Sequence, residues 1–210
     1  MAALHLTNLT KTYGSHTILE FAEWKISTGI YWIKGGNGTG KTTLFKTIAG
    51  QTPFKGETAI DQIYLRQQPV AYRAMISYAE AEPQYPPFLT GQELLDYYIA
   101  VRKADHKIAD KLVGQFKMED FMGNKISSYS SGMLKKLSLI AAFIGEVQLY
   151  ILDEPLITID TASAEVLYNL IKTFHQQGKT FLISSHQEID QHKIPLNGIF
   201  EIRNHQLAVC

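Results

Sequence analysis

Gly35-Gly36-Asn37-Gly38-Thr39-Gly40-Lys41-Thr42 forms a complete G-x-x-x-x-G-K-[ST] phosphate-binding loop. The six residues before it end a β-rich apolar run, Gly29-Ile30-Tyr31-Trp32-Ile33-Lys34. Those after it, Thr43-Leu44-Phe45-Lys46-Thr47-Ile48-Ala49, have helical spacing and stop at Gly50. Strand, glycine loop and helix is the setting this motif requires. Glycines let backbone N–H groups turn inward around phosphate oxygens, where a Cβ would obstruct. The helix N-terminus adds a positive field at the same point. Lys41 is expected to reach the β- and γ-phosphates, and Thr42 to offer its hydroxyl to Mg²⁺. Thr43 follows within the same turn.

A phosphate loop alone fits a kinase, a GTPase or a motor. A second stretch narrows the choice. Gln148-Leu149-Tyr150-Ile151-Leu152-Asp153 is a buried-strand pattern ending in an acid, with Glu154-Pro155 next. This is a Walker B pattern, in which an acid such as Asp153 holds Mg²⁺ through its water shell. A second acid placed like Glu154 can orient or deprotonate an attacking water. By itself the same pattern also describes an apolar strand capped by two surface acids.

Between these stretches lies Ser128-Tyr129-Ser130-Ser131-Gly132-Met133-Leu134-Lys135-Lys136-Leu137-Ser138-Leu139-Ile140-Ala141-Ala142. It resembles the ABC ATPase signature, L-S-G-G-Q followed by a basic helix, with Ser130, Gly132, Lys136 and Ala141 at matching places. Tyr13-Gly14 resembles the adenine-stacking aromatic loop. Asp160, seven residues after Asp153, falls where the family has its D-loop aspartate. Leu182-Ile183-Ser184-Ser185-His186 resembles the H-switch strand. Five motifs in order over almost the whole chain resemble an ABC transporter nucleotide-binding domain. The resemblance implies an α/β fold: a RecA-like P-loop core with a parallel sheet, an antiparallel β subdomain and a helical subdomain. It implies one such domain over residues 1–210, with the helical subdomain at about 83–145.

The same resemblance implies Mg²⁺-dependent hydrolysis of ATP, with Glu154 as catalytic carboxylate and Lys41 and His186 at the γ-phosphate. Tyr13, Gly35, Gly36, Asn37, Gly38, Thr39, Gly40, Lys41, Thr42, Thr43, Ser130, Gly132 and Asp160 would contact nucleotide. Thr42 and Asp153 would serve the metal. Simpler readings stand beside several of these. Tyr13 also reads as an exposed strand-end aromatic, His186 as a core histidine, and Asp160 as an N-cap for a helix over 161–174. Family members sandwich nucleotide between two domains, so a homodimer in the ATP-bound state is implied, with Ser130 and Gly132 of one copy capping phosphate on the other.

Three departures from the family pattern bear on turnover. Ala81 stands where the family usually has a glutamine that reaches Mg²⁺ and water, and whose loop senses the membrane partner. Alanine offers no oxygen; Glu80 or Glu82 would substitute if the register shifted by one. Ser131 replaces the first signature glycine, which is tolerable if its backbone avoids positive φ. Met133 replaces the signature glutamine.

Composition excludes other classes. The 210 residues are 45% hydrophobic, with 20 Lys+Arg against 20 Asp+Glu. That balance carries no electrostatic footprint for nucleic acid or an anionic membrane. Cys210 is the one cysteine, which rules out a disulfide within the chain. No apolar run reaches the roughly 18 residues of a membrane span, and no signal peptide is visible. Membrane association is therefore expected through a membrane-spanning partner, with this chain cytoplasmic and peripheral on the inner face of the cell membrane. The competing reading is a soluble ABC-type ATPase of DNA repair or the ribosome. Those relatives carry paired ATPase units, coiled-coil insertions or basic arms, and none is present here. A binding-only regulator is the third class, and Glu154 and His186 argue against it.

Along the chain, 4–9 and 18–26 read as strands, and 76–79, 149–152 and 181–184 as buried parallel strands. Residues 91–102, 105–117 and 131–144 read as helices, after punctuation by Pro83, Pro86 and Pro87.

Overall fold

A computed structural model of the protein describes residues 4–186 and 188–210. Its centre is a six-stranded sheet in which β3 (Ile30–Lys34), β8 (Thr180–Ser184), β7 (Leu149–Leu152) and β6 (Ile76–Ala79) lie side by side and parallel. On the other side of β3, β9 (Gly198–Arg203) continues the parallel set, and β10 (Gln206–Val209) closes the edge antiparallel. A second sheet, antiparallel throughout, is ordered β2-β1-β4-β5, from β1 (Leu4–Tyr13), β2 (His16–Ile26), β4 (Lys55–Ile60) and β5 (Ile63–Tyr64).

Every residue of β7 and β8 is buried, as the apolar runs require. Alternation then divides them between two cores. Trp32, Tyr150, Leu152, Phe181 and Ile183 face one cluster. Tyr31, Ile33, Leu149, Ile151 and Leu182 face the other, which the antiparallel sheet and α1 (Lys41–Ile48) cover. On the first side Tyr150 stacks between Phe143 and Phe181, with centroids 5.1 and 4.9 Å away.

The first cluster also contains the inner faces of α3 (Gly91–Arg102), α4 (His106–Gln115), α5 (Ser131–Ala142) and α6 (Thr161–Gln176). Helix boundaries follow their caps. Thr90 and Glu93 form a reciprocal capping box on α3. Asp105, read from sequence as the first helical residue, is instead the N-cap of α4, accepting from Lys107 N. Ser130 caps α5 and Asp160 caps α6. A short helix, α2 (Pro69–Ala74), and two 3₁₀ turns, Glu119–Phe121 and Ile126–Ser128, complete the elements.

The parallel and antiparallel sheets with a helical segment match the expected fold. β4, β5, β9, β10 and α2 add to the expected elements. Among the described residues no helix is long and apolar enough to cross a membrane.

Candidate nucleotide site

The carboxyl ends of β3, β7 and β8 converge on one cleft, where parallel α/β sheets place their ligands. β3 delivers the phosphate loop. Gly40, at φ +106, is the N-cap of α1, and a Cβ there would stand 2.9 Å from Ile18. The conformation and the packing both demand glycine. α1 has no side-chain cap and no acid in its first turn, so no side chain competes for its first N–H groups. Lys41 Nζ donates to Gly35 O at 2.7 Å and Gly36 O at 3.1 Å, which lays the buried ammonium across the loop. Thr39 Oγ1 donates to Gly36 O at 3.0 Å.

β7 delivers the acids. Asp153 is fully buried and each of its carboxylate oxygens is held. Oδ1 accepts from Ser184 Oγ at 2.5 Å, and Oδ2 accepts from Thr42 Oγ1 at 2.7 Å and Tyr78 Oη at 3.3 Å. Burial, with the negative charges of Asp153 and Glu80, pushes the Tyr78 phenol far above its ordinary range, so Tyr78 remains a donor. Ser184 and Asp153 meet because Leu152 pairs with Ile183 one step earlier in the ladder. The same Ser184 Oγ accepts from Glu154 N at 2.9 Å.

Glu154 has φ +46, an uncommon conformation for a non-glycine residue. Its Oε2 accepts from His186 N at 3.0 Å. Its Oε1 lies 3.1 Å from His186 Nε2 and 3.8 Å from Lys41 Nζ, yet accepts no well-directed hydrogen bond although it is buried. A buried carboxylate oxygen left in this state is poised for a further donor. His186 lies at the cleft rather than in the core, with about a third of its side chain exposed.

The cleft holds about 450 Å³ and is lined by residues 36–43, Asp153, Glu154 and His186, joined by Ile18, Ala81, Glu82 and Ile157. The other sequence-derived candidates lie elsewhere. Tyr13 ends β1 with half its surface exposed, and the Lys11 ammonium sits 4.2 Å from its ring centroid. Ser130 and Gly132 do not line this cleft. Asp160 accepts from Ser163 N at 2.8 Å and pairs with Lys136 Nζ at 2.6 Å. Its carboxylate is thus engaged in capping α6 and tying it to α5.

Ala81 faces the cleft with Glu82, whereas Glu80 stands 3.8 Å from Lys46 in the adjoining cavity. Ser131 is the first residue of α5 and is not at positive φ, so its side chain strains nothing. Gly132 has a packing reason: a Cβ there would stand 2.7 Å from Thr158 O.

Sequence reasoning passed over three residues that hold this site: Tyr78, Ser184 and Lys135. Lys135 is 1% exposed, and its Nζ donates to Glu80 O at 2.7 Å, Ala81 O at 3.0 Å and Asp153 O at 2.9 Å. Burial pushes its ammonium down to about 8, against the opposing pull of Asp153, Glu154, Glu80 and Glu82. A signal existed. Lys135 shares a helix face with Ser138, Leu139 and Ala142, three, four and seven residues on, all buried.

The model of the ABC transporter family matches residues 21–157. The chain belongs to that family. It is 29% identical to the cytochrome c biogenesis ATP-binding export protein CcmA of Haemophilus influenzae, over 89% of this chain and 90% of that protein. It is 26% identical to the Nod factor export ATP-binding protein I of Rhizobium etli, over 89% of this chain and 61% of that protein. A solved ATP-binding subunit of an ABC transporter superposes with a TM-score of 0.89 at 23% identity, covering 99% of this chain and 89% of that one. The matched span contains both the phosphate loop and the Asp153-Glu154 pair.

Proposed function

We propose that this subunit hydrolyses ATP to ADP and phosphate with Mg²⁺, by direct attack of water on the γ-phosphate, and that a separate membrane-spanning chain converts the cycle into transport. The observation that carries the reading is the Glu154 oxygen between His186 and Lys41, one residue from an Asp153 bonded to Thr42. Thr42 and Asp153 present two adjacent oxygens. Among the described residues no cluster of three or more His, Cys, Asp or Glu could enclose a metal. Two protein oxygens with water and phosphate filling the rest suit Mg²⁺, which dehydrates reluctantly. When bound, Mg²⁺ supplies positive charge across the phosphate oxygens.

The chain's own groups do the rest. Loop amides and Lys41 balance the charge that develops on the γ-phosphoryl group. Glu154 Oε1 orients a water and takes its proton. His186 fixes Glu154 through its own N–H and faces the same phosphate. Tyr13 is assigned to adenine: it ends β1 at the hairpin whose second strand sends Ile18 to the cleft wall.

Ser130 is exposed at the start of a twelve-residue helix, and its Oγ uses an acceptor site for Met133 N at 3.3 Å, leaving the hydroxyl proton for an external acceptor. That supports capping of phosphate on a second copy of the chain by Ser130 and Gly132, with Asp160 at the shared interface. Phe88, Tyr97 and Val101 are exposed at 69, 63 and 60%, and Tyr97 and Val101 lie one helical turn apart. They support docking of a membrane chain on the 83–145 helical subdomain, and we assign the subunit to the cytoplasmic face of that membrane. Both of these relatives are export proteins by name, which supports transport over DNA repair or ribosomal work.

The test is Glu154→Gln, which keeps shape and removes the base. Phosphate release is expected to fall at least about a hundredfold while ATP stays bound. Turnover at the wild-type rate would sink the assignment.

A further inference from the structure

Two adjacent lysines of α5 grip the segment that carries the acids. Lys135 binds the carbonyl of Asp153 at its start, and Lys136 pairs with the carboxylate of Asp160 at its end. Between them Thr158 O lies against Gly132. The segment needs support, because Glu154 and Thr158 both have positive φ and Thr158 is β-branched. Lys135 also binds the carbonyls of Glu80 and Ala81. Its three N–H donors match three carbonyls from two separate strand ends.

This matters because residue 81 has no side-chain oxygen. Loop 80–82 borders the cleft through Ala81 and Glu82, yet the side chain at 81 can make no hydrogen bond to the acid turn. Lys135 links this loop to that turn through main-chain carbonyls and one ammonium. We infer that Lys135 is a positioning residue for hydrolysis, joining loop 80–82, the Asp153-Glu154 turn and the signature helix into one unit that sets where the Glu154 carboxylate stands. The inference rests on the ATPase reading above. It assigns Lys135 no contact with nucleotide. Removing it should loosen Glu154 and leave the phosphate loop, which is held by its own glycine geometry and by Lys41, in place.

The experiment compares the full chain with Lys135→Met and Lys135→Arg. Methionine keeps an unbranched stem, one atom shorter, and removes all three donors; arginine keeps charge and donors. Three quantities are read: ATP affinity, kcat with KM, and amide hydrogen exchange without nucleotide. The expected result for Lys135→Met is a kcat at least about tenfold lower with KM and ATP affinity within about threefold of wild type. Exchange should quicken at 80–82 and 153–160 together and stay unchanged in residues 35–48. Lys135→Arg should recover most of both losses. A kcat within about twofold of wild type in Lys135→Met overturns the inference. So does faster exchange across the whole chain with affinity and kcat falling together in both variants, since that marks a general stabiliser. If wild-type protein shows no ATPase activity, the functional reading fails, and the exchange comparison still decides whether Lys135 joins the two segments.

Discussion

The phosphate loop and the signature region are held in different ways. Gly40 is fixed by its own backbone angle and by the closeness of Ile18, so the loop's shape is local. The start of α5 is fixed from outside, by Thr158 O against Gly132, by Asp160 on Lys136 and by three carbonyls on Lys135. A region shaped by its own backbone keeps its motif letter by letter. A region shaped by neighbours accepts Ser131 and Met133, because the constraints fall on Gly132 and the lysines instead. The same contrast explains Ala81. The side chain there offers no oxygen, and the loop's backbone supplies the connection.

The comparison makes the phosphate loop the more sensitive half for binding. Lys41→Ala removes the ammonium that lies across Gly35 and Gly36. Charged hydrogen bonds of this kind contribute roughly 1.5–3 kcal/mol each, so ATP affinity by calorimetry should fall at least about tenfold. Unchanged affinity would remove the loop from the nucleotide site. Gly132→Ala probes the other half. The new Cβ meets a backbone carbonyl whose residue already sits at φ +67 and cannot yield cheaply. Overpacking of this kind costs about 1–3 kcal/mol, read as a lower urea midpoint with unchanged slope. A variant as stable as wild type would show that Gly132 is kept for something other than packing.

How far the sequence could be read follows the same division. The loop, both acids and the buried strands 149–152 and 181–184 were legible because each depends on neighbours in sequence. The β9–β10 hairpin was not. Its turn is Asn204-His205, both at positive φ, and Asn marks such a turn while His rarely does. β4 reads Lys-Gly-Glu-Thr-Ala-Ile, without the alternation that marks a half-buried strand. Ser184 was read only as part of the H-switch strand, since the register that brings it to Asp153 is a tertiary fact. Asp160 was legible as an N-cap from its position, whereas its partner Lys136 lies 24 residues earlier on another helix.

Asp160 gives the comparison a pH handle. Its carboxyl is held well below the ordinary range, first by the hydrogen bond from Lys136 and then by the Ser163 backbone N–H. A depressed folded pKa means that the unfolded chain binds more protons near 3.8. The contribution is therefore present above that value and is lost as pH falls through the folded one. Asp160→Ala should cost about 1 kcal/mol at neutral pH, mostly as a lost cap on α6, with the partly exposed ion pair adding little. The gap between variant and wild type in urea should narrow on acidification. A gap that stays constant into the acid range would mean that the carboxylate is not the group responsible.

The smallest effect is expected at Ser131, where the signature departs from the family but the backbone does not object. Ser131 is exposed, helical and one residue past the cap, so Ser131→Gly removes only a hydroxymethyl group from a first turn. Stability should fall by no more than about 0.5 kcal/mol, since glycine in a helix costs about that relative to serine. ATPase activity should hold or rise slightly, because the Ser130 hydroxyl and the Gly132 contact remain. A change in kcat beyond about threefold would show that the side chain at 131 meets the nucleotide of a second copy. The proposed homodimer is best sought in Glu154→Gln protein with ATP and Mg²⁺, where a closed pair is expected to persist. Sedimentation at high micromolar protein should show a dimer there, and in the double variant with Ser131→Gly as well. Monomer alone under those conditions would reassign the cap supplied by Ser130 and Gly132 to a different ATPase chain.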